Sequence, residues 1–211
     1  MPANASDWDA RHREAEEKFA AEPASVVLDW LASLPKGPAL DVACGRGRHT
    51  LFLAEQGHAV TAVDWSAAAL EVLEAHARAK KLEVSRTTAG KTIGGYEHGI
   101  HLVQANLEKV HFAEAAFAVI VCVQYLQRSL FPQIERALRP GGVLVYETFT
   151  REQLNCSGGP RDPAHLLEPG ELRTAFPALE SLFYRELRAG QGITSLVARK
   201  PAGTDHGIAR R

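Results

Sequence analysis

The segment ALDVACGRGRH, residues 39–49, carries the most informative pattern in the chain. ALDVA (39–43) is a short apolar run typical of a strand, and residues 48–56 have the pattern of a helix. Between them, Gly45 and Gly47 allow a tight turn in which a ligand can lie against bare backbone N–H groups. The helix that follows favours an anionic group of the ligand at its N-terminus.

An acidic residue ends the next predicted strand. AVTAVD (59–64) is mostly apolar and places Asp64 at the carboxyl end of a strand near the glycine turn. A carboxylate there can accept hydrogen bonds from both hydroxyls of a ribose. A dinucleotide fingerprint needs a third small residue where Thr50 stands, so the pattern favours an adenosine ligand other than a dinucleotide.

The rest of the chain alternates between strands and helices. This alternation predicts an α/β domain with a parallel sheet covered by helices on both faces. The short turn between the last two strands predicts that they run antiparallel. Further strands are predicted at 100–106, 116–123, 143–149, 181–187 and 193–199, and further helices at 24–34, 66–80, 128–138 and 170–176. We predict one domain over 1–211, divided into a helical region, a core and a loose tail at 6–34, 35–200 and 201–211.

Composition excludes several classes of protein. The 211 residues carry a net charge of −1, without the basic excess of a nucleic-acid-binding protein. No apolar run approaches the roughly 20 residues of a membrane-spanning helix, and the first residues lack an apolar signal core. We therefore expect a cytoplasmic protein without a membrane partner, as a monomer or a homodimer. Three cysteines without a C-x-x-C pair and nine histidines without ligand spacing predict no metal site.

Four segments of the chain form a set: LDVACGRGRH (40–49), VTAVDWS (60–66), VQANLE (103–108) and LRPGGVLVYETF (138–149). This set resembles the class I S-adenosylmethionine-dependent methyltransferases, and the resemblance runs from about Trp8 to Lys200. Trp8-Asp9-Ala10-Arg11 is similar to a stretch that precedes the core of small bacterial tellurite-resistance and thiopurine-type enzymes. The resemblance implies a single Rossmann-like, seven-stranded, mostly parallel sheet with an antiparallel C-terminal hairpin. It also implies S-adenosylmethionine as the cofactor.

The resemblance assigns cofactor roles to matching positions. Arg48 would bind the methionine carboxylate, and Asp41 would fasten the turn or meet the cofactor amino group through water. Asp64 would hold the ribose, Asn106 would accept from the adenine amino group, and the Leu107 backbone would complete adenine recognition. The other implied cofactor-binding positions are Trp8, Arg11, Ala43, Cys44, Gly45, Gly47, His49, Trp65 and Val123. Purely structural roles stay open for several of these side chains.

The methyl acceptor should approach beyond the fourth parallel strand, near Val123-Gln124-Tyr125. Tyr125 is the candidate catalytic residue, and the prolines that mark nucleic-acid amino methyltransferases are absent beside it. The resemblance therefore implies a small-molecule substrate. The loops at 82–99 and 151–169 have the length and the glycine or proline content of lids. Further candidates for substrate contact are Glu147, Thr148, Arg161 and His165.

Two other functions stay open at this point. A cofactor-binding protein without catalysis, such as a sensor or a scaffold subunit, remains because cofactor binding and chemistry use different positions. An NAD-linked oxidoreductase is disfavoured by Thr50 and by the terminal hairpin. RNA or protein acceptors also stay open, although the sequence has no basic aromatic platform.

Overall fold

Strand β1 (Ala39–Val42) lies in the middle of the main sheet. The computed structural model describes the residue ranges 5–14, 22–88, 92–188 and 190–202. All four side chains of β1 are buried, because β1 pairs in parallel with β2 (Val60–Asp64) on one side and β7 (Phe117–Val123) on the other. The apolar runs of the sequence therefore form the buried parallel centre that we predict.

The main sheet has eight strands in the described part of the chain. Beyond β2 lie β5 (Ile100–Gln104) and then β3 (Val84–Thr88), both parallel to their neighbours. Beyond β7 lie β8 (Leu138–Phe149), which is parallel to β7, and then the antiparallel strands β10 (Ile193–Arg199) and β9 (Glu180–Leu187). The α/β class, the mostly parallel sheet and the terminal hairpin are confirmed.

The sheet has one strand more than the seven predicted, because part of segment 82–99 is not a loop. β3 pairs with β5 at the sheet edge, and β4 (Thr92–Ile93) pairs with β6 (His111–Phe112) in a separate ribbon. Val84 and Thr87 are β-branched and favour extended backbone. The described side chains of β3 are half-buried or exposed, so the strand shows no apolar alternation that the sequence could reveal.

The helices begin and end at residues with clear local causes. They are α1 (Ala5–Glu14), α2 (Ser25–Trp30), α3 (Arg48–Glu55), α4 (Ala67–Ala79), α5 (Phe131–Ala137) and α6 (Glu171–Thr174). Gly57 follows α3 with φ 85°, a conformation that suits glycine after a helix end. Ser66 caps α4, since its hydroxyl accepts the Ala69 N–H at 3.1 Å. Pro132 stands in the first turn of α5, where a missing N–H costs nothing.

Different helices cover the two faces of the sheet, and β7 packs against both. Val121 packs in the same apolar cluster as Val27 of α2, on one face. Ile120 packs in the same cluster as Ile134 of α5, on the other. All seven side chains of β7 are buried, as predicted for a central strand, and each large aliphatic chain contributes roughly 1.5–3 kcal/mol when fully buried.

The predicted helical region 6–34 contains α1 and α2, while residues 15–21 and 203–211 lie outside the described residues. The loop 151–169 is fastened to the hairpin: Gln153 is buried, and its Oε1 accepts the Gly192 N–H at 3.0 Å. These contacts do not favour a lid role for this loop.

Candidate functional site

The turn between β1 and α3 has the backbone conformation that its glycines predict. Gly45 has φ 53° and Gly47 has φ 84°, and Ala43 also has a positive φ of 55°. A Cβ on Gly47 would lie 2.1 Å from Cδ1 of Leu73 in α4. The turn thus needs glycine at 47 because α4 packs directly against it, in addition to any approach of a ligand.

Asp64 is joined directly to this turn. Its Oδ2 accepts the Gly45 N–H at 2.7 Å, and its Oδ1 accepts the Ser66 N–H at 2.8 Å. A carboxylate has about four acceptor positions, so each oxygen retains capacity for a further hydrogen bond. The two remaining positions match the two hydroxyls of a ribose.

Asp41 fastens the start of α3 from the strand below. It is 1% exposed, and its Oδ2 accepts the Thr50 hydroxyl at 2.6 Å. Burial raises the pKa of Asp41 to about 7, although the hydrogen bond from Thr50 favours the ionised form. Asp41 is therefore a buried structural group close to the turn.

Arg48 lies close enough to Asp41 and Glu147 for both residues to influence the pKa of its guanidinium. Burial lowers the pKa of its guanidinium, and these two carboxylates oppose that shift. Its side chain makes no hydrogen bond to any residue in the described ranges. A half-buried guanidinium with unused donors beside the turn is well suited to bind a carboxylate of a ligand.

Two other positions near the turn serve packing. His49 is buried, and its Nε2 accepts the Ala24 N–H at 3.1 Å, which attaches the start of α2 to α3. Burial lowers the pKa of His49 to about 3, so the ring is neutral. Cys44 is buried in an apolar cluster, and burial raises the pKa of its thiol well above the usual range. Neither side chain offers a charged group to a ligand.

The segment after β5 presents one acceptor and one donor at the same edge of the sheet. Asn106 Oδ1 accepts the Glu108 N–H at 2.9 Å and retains a second lone pair. The Leu107 N–H donates to no acceptor in the part of the chain that the structure describes. This pair matches the amino group and ring nitrogen of an adenine, and the half-buried Trp65 follows Asp64 directly.

Helix α1 lies over the turn and is held there by polar contacts. Asp9 Oδ1 accepts the Ser66 hydroxyl at 2.5 Å and the Ala68 N–H at 3.1 Å. The hydrogen bond from Ser66 lowers the pKa of Asp9. Arg46 donates to the His12 carbonyl at 2.6 Å. The sequence predicts a role for the segment that contains Asp9, but it does not predict that Asp9 caps α4. An acidic residue in that segment is the one local sign of this contact.

Helix α1 also carries Trp8 and Arg11, two candidate cofactor-binding residues. The ring of Trp8, a candidate cofactor contact, lies 6.4 Å from that of His12. His12 Cε1 would lie 3.6 Å from a Cβ built on Gly45, so α1 covers the turn closely. The side chain of Arg11 lies outside the described residues.

The end of β7 carries the residues predicted to face the acceptor. Val123 is buried at the strand end, and Gln124 follows with φ 59°. Tyr125 donates its hydroxyl to Gln127 Oε1 at 2.5 Å, and burial raises the pKa of Tyr125. Its phenol is thus a neutral hydrogen-bond donor, which does not suit a general base.

The unused polar groups of the site could hold S-adenosylmethionine. Unused acceptors on Asp64 and Asn106, a free donor at Leu107 and the unused guanidinium of Arg48 lie along one edge of the sheet. Within the described ranges, no group of three or more His, Cys, Asp and Glu side chains is placed to hold a metal ion. In the same ranges, no helix has the length and apolar content to cross a membrane.

The sequence matches a family model described as a methyltransferase domain over residues 40–146. It is 31% identical over 119 residues to a ubiquinone biosynthesis O-methyltransferase of Histophilus somni, covering 53% of this chain and 44% of that protein. It is 27% identical over 150 residues to a malonyl-[acyl-carrier protein] O-methyltransferase of Enterobacter lignolyticus, covering 69% and 52%. The chain thus spans about half the length of the curated relatives it matches.

Solved structures share the fold at lower identity. TehB from Haemophilus influenzae has a TM-score of 0.67 at 17% identity, covering 92% of this chain and 67% of that chain. An S-adenosylmethionine-dependent methyltransferase from Mesorhizobium loti has a TM-score of 0.61 at 19% identity, covering 83% and 98%. The family model matches just over half of the chain and includes most of β1, the glycine turn and Asp64. The chain therefore belongs to the class I S-adenosylmethionine-dependent methyltransferases, with S-adenosylmethionine as the family's methyl donor.

Proposed function

We propose that this chain transfers the methyl group of S-adenosylmethionine to a nucleophilic atom of a small molecule. The observation that carries the proposal is the contact of Asp64 with the Gly45 N–H at 2.7 Å. This hydrogen bond connects two parts of the site. Asp64 would hold the ribose, and the turn at Gly45 would lie against the methionine part of the cofactor. A cofactor bound across both would direct its sulfonium toward the end of β7.

Each unused polar group then has a role toward the cofactor. Asp64 accepts hydrogen bonds from the ribose hydroxyls, and Arg48 binds the methionine carboxylate. Asn106 accepts from the adenine amino group, and the Leu107 N–H donates to a ring nitrogen. α1 covers the turn and would limit the access of water to the bound cofactor. The cytoplasmic location and the monomeric or homodimeric state stay predictions.

Methyl transfer requires the protein mainly to orient the acceptor atom and the methyl group. S-adenosylmethionine supplies a methyl group that is already activated by the positive sulfur. Residues near Val123 and Gln124 would hold the acceptor atom in line with that methyl group, and exclusion of water would prevent competing reactions. A proton acceptor is needed only if the nucleophile is protonated at neutral pH.

An oxygen atom of a small molecule is the acceptor that the comparisons favour. Two of the relatives are named as O-methyltransferases, although each is matched over only part of its length. The net charge of −1 lowers the expected affinity for a nucleic acid.

Calorimetric titration with S-adenosylhomocysteine and, separately, with NAD tests the cofactor. We expect S-adenosylhomocysteine to bind and NAD not to bind. Asp64→Ala should weaken S-adenosylhomocysteine at least about tenfold, because two hydrogen bonds to a charged acceptor are lost. Asp29→Ala, which removes an exposed carboxylate on α2, is the matched control and should bind normally.

Incubation with methyl-labelled S-adenosylmethionine and a small-molecule extract tests catalysis. We expect label in the small-molecule fraction. Binding of S-adenosylhomocysteine without labelled product would instead support a cofactor-binding protein without catalysis. Binding of NAD in its place would support an oxidoreductase.

A further inference from the structure

Four side chains form a row on one face of the sheet near its carboxyl end. Val123 is directly opposite Glu147 in the register, Glu147 is opposite Ser195, and Ser195 is opposite Arg185. Directly opposite residues on paired strands point to the same face. The row therefore leads from the end of β7, where the methyl group would lie, toward the edge strand β9.

Glu147 and Arg185 do not satisfy each other within this row. The Ser195 hydroxyl donates to Glu147 Oε2 at 2.7 Å, whereas the nearest guanidinium nitrogen of Arg185 is 3.9 Å from the same oxygen. That distance is beyond a hydrogen bond. The Nε of Arg185 is shielded from solvent and has no acceptor among the residues that the structure describes. An unpaired buried donor costs free energy, so a site with such a donor favours a ligand that supplies an acceptor.

The charge around the row is positive. Arg48 and Arg185 both lie near Glu147, which is 8% exposed. The other nearby carboxyl group is Asp41, whose pKa burial raises to about 7, so it is only partly ionised at neutral pH. Two guanidinium groups thus lie near Glu147. The methionine carboxylate of the donor would balance Arg48, and a second anionic group could then pair with Arg185, whose nearest Glu147 oxygen is 3.9 Å away.

An apolar surface lies beside Arg185. The guanidinium carbon of Arg185 lies 5.8 Å from the centre of the Phe183 ring, and that ring lies 6.0 Å from the ring of Trp30. Both rings are half-buried. A flat apolar group can pack against such rings while a charged group on it reaches the guanidinium.

We propose that Arg185 recognises the methyl acceptor by binding its carboxylate, and that the acceptor is a small carboxylic acid with a flat apolar body. This rests on the proposed function, because it places the acceptor beside the methyl donor. Of the two guanidinium groups near Glu147, Arg48 would serve the methionine carboxylate of the donor, and Arg185 is available to the acceptor. Arg185 is a binding residue and takes no part in bond breaking.

Benzoate is the probe for this site, and benzamide is its neutral counterpart. Ligand-detected NMR titrations are run on the full chain with and without saturating S-adenosylhomocysteine. We expect benzoate to bind under both conditions and benzamide not to bind. Arg185→Gln should weaken benzoate at least about tenfold. Arg199→Gln, which removes an exposed arginine at the other end of the same hairpin, should leave it unchanged.

A second variant tests the site without removing its guanidinium. Glu147→Gln removes the carboxylate that competes for Arg185, so benzoate should bind several-fold more tightly. Equal binding of benzoate and benzamide, equal binding to Arg185→Gln and the parent, or displacement of benzoate by S-adenosylhomocysteine would each overturn the proposal. Failure to bind S-adenosylhomocysteine while benzoate still binds would instead overturn the proposed function alone.

Discussion

The Ser66 hydroxyl donates to Oδ1 of Asp9, a residue 57 positions earlier, at 2.5 Å. The backbone N–H of the same serine donates to Asp64 at 2.8 Å. One residue at the start of α4 therefore contacts both the covering helix α1 and the carboxylate that would hold the ribose. A substitution at Asp9 should therefore affect Asp64, and a substitution at Asp64 should affect Asp9.

Asp9→Ala should speed release of the bound cofactor. The variant removes the acceptor that holds α1 to Ser66 and Ala68, so α1 should open more often. We expect the dissociation rate of S-adenosylhomocysteine to rise several-fold, measured by stopped-flow tryptophan fluorescence. Asp29→Ala on α2 should match the parent. An unchanged rate in Asp9→Ala would show that α1 does not cover the bound cofactor.

Gly47→Ala should destabilise the fold strongly. Its Cβ would lie 2.1 Å from Cδ1 of Leu73, and φ 84° is strained for alanine. We expect the free energy of unfolding to fall by about 3 kcal/mol, measured by urea denaturation. Adding Leu73→Ala removes the clashing atoms, so the double variant should lose less than the sum of the two single losses. If the losses in free energy of unfolding of the two single variants simply add in the double variant, the clash with Leu73 is not the cause of the destabilisation.

Arg48→Gln should weaken only ligands that carry the methionine carboxylate. The guanidinium has no other hydrogen-bond partner among the described residues, so its removal should leave the turn intact. We expect S-adenosylhomocysteine affinity to fall about tenfold by calorimetry, because a charged hydrogen bond is lost. Methylthioadenosine, which lacks the carboxylate, should bind both proteins equally. An equal loss of affinity for S-adenosylhomocysteine and methylthioadenosine would mean that Arg48 has a structural role in the site.

Asp41→Asn should change how stability depends on pH. The pKa of Asp41 is about 7 in the folded protein and about 3.8 in the unfolded chain. The folded state holds the proton more tightly, so the stabilising contribution is complete below pH 3.8 and is lost as pH rises through 7. Relative to Asp41→Asn, the parent should lose up to about 4 kcal/mol of stability between pH 4 and pH 8, measured by urea denaturation. If the free energies of unfolding of the parent and of Asp41→Asn change with pH in the same way, the raised pKa of Asp41 is contradicted.

Local patterns predict the centre of this fold well. The apolar runs that become β1, β2 and β7 carry their signal in consecutive residues, and burial on both faces makes that signal strong. Asp64 is predictable for the same reason, since it ends a strand beside the glycine turn. Gly47 is predictable as glycine, but its contact with Leu73 comes from helix packing that the sequence does not display.

Contacts between distant residues account for what the sequence does not reveal. β3 lies at a sheet edge, where partial burial leaves no apolar alternation in residues 84–88. Asp9 caps a helix that begins 58 positions later, and no local pattern links the two. The row of Glu147, Ser195 and Arg185 depends on strand register, which only the folded hairpin fixes.

The contacts of Ser66 predict that position 66 accepts few other amino acids. Its hydroxyl donates a hydrogen bond to Asp9 and accepts one from the Ala69 N–H, so the side chain must do both in a small volume. Alanine and glycine lack the group, and asparagine or aspartate would be longer in a position that is fully buried. Threonine is the one ordinary replacement with the same chemistry. Replacement of this serine is therefore expected to be costly even though its side chain need not touch the ligand.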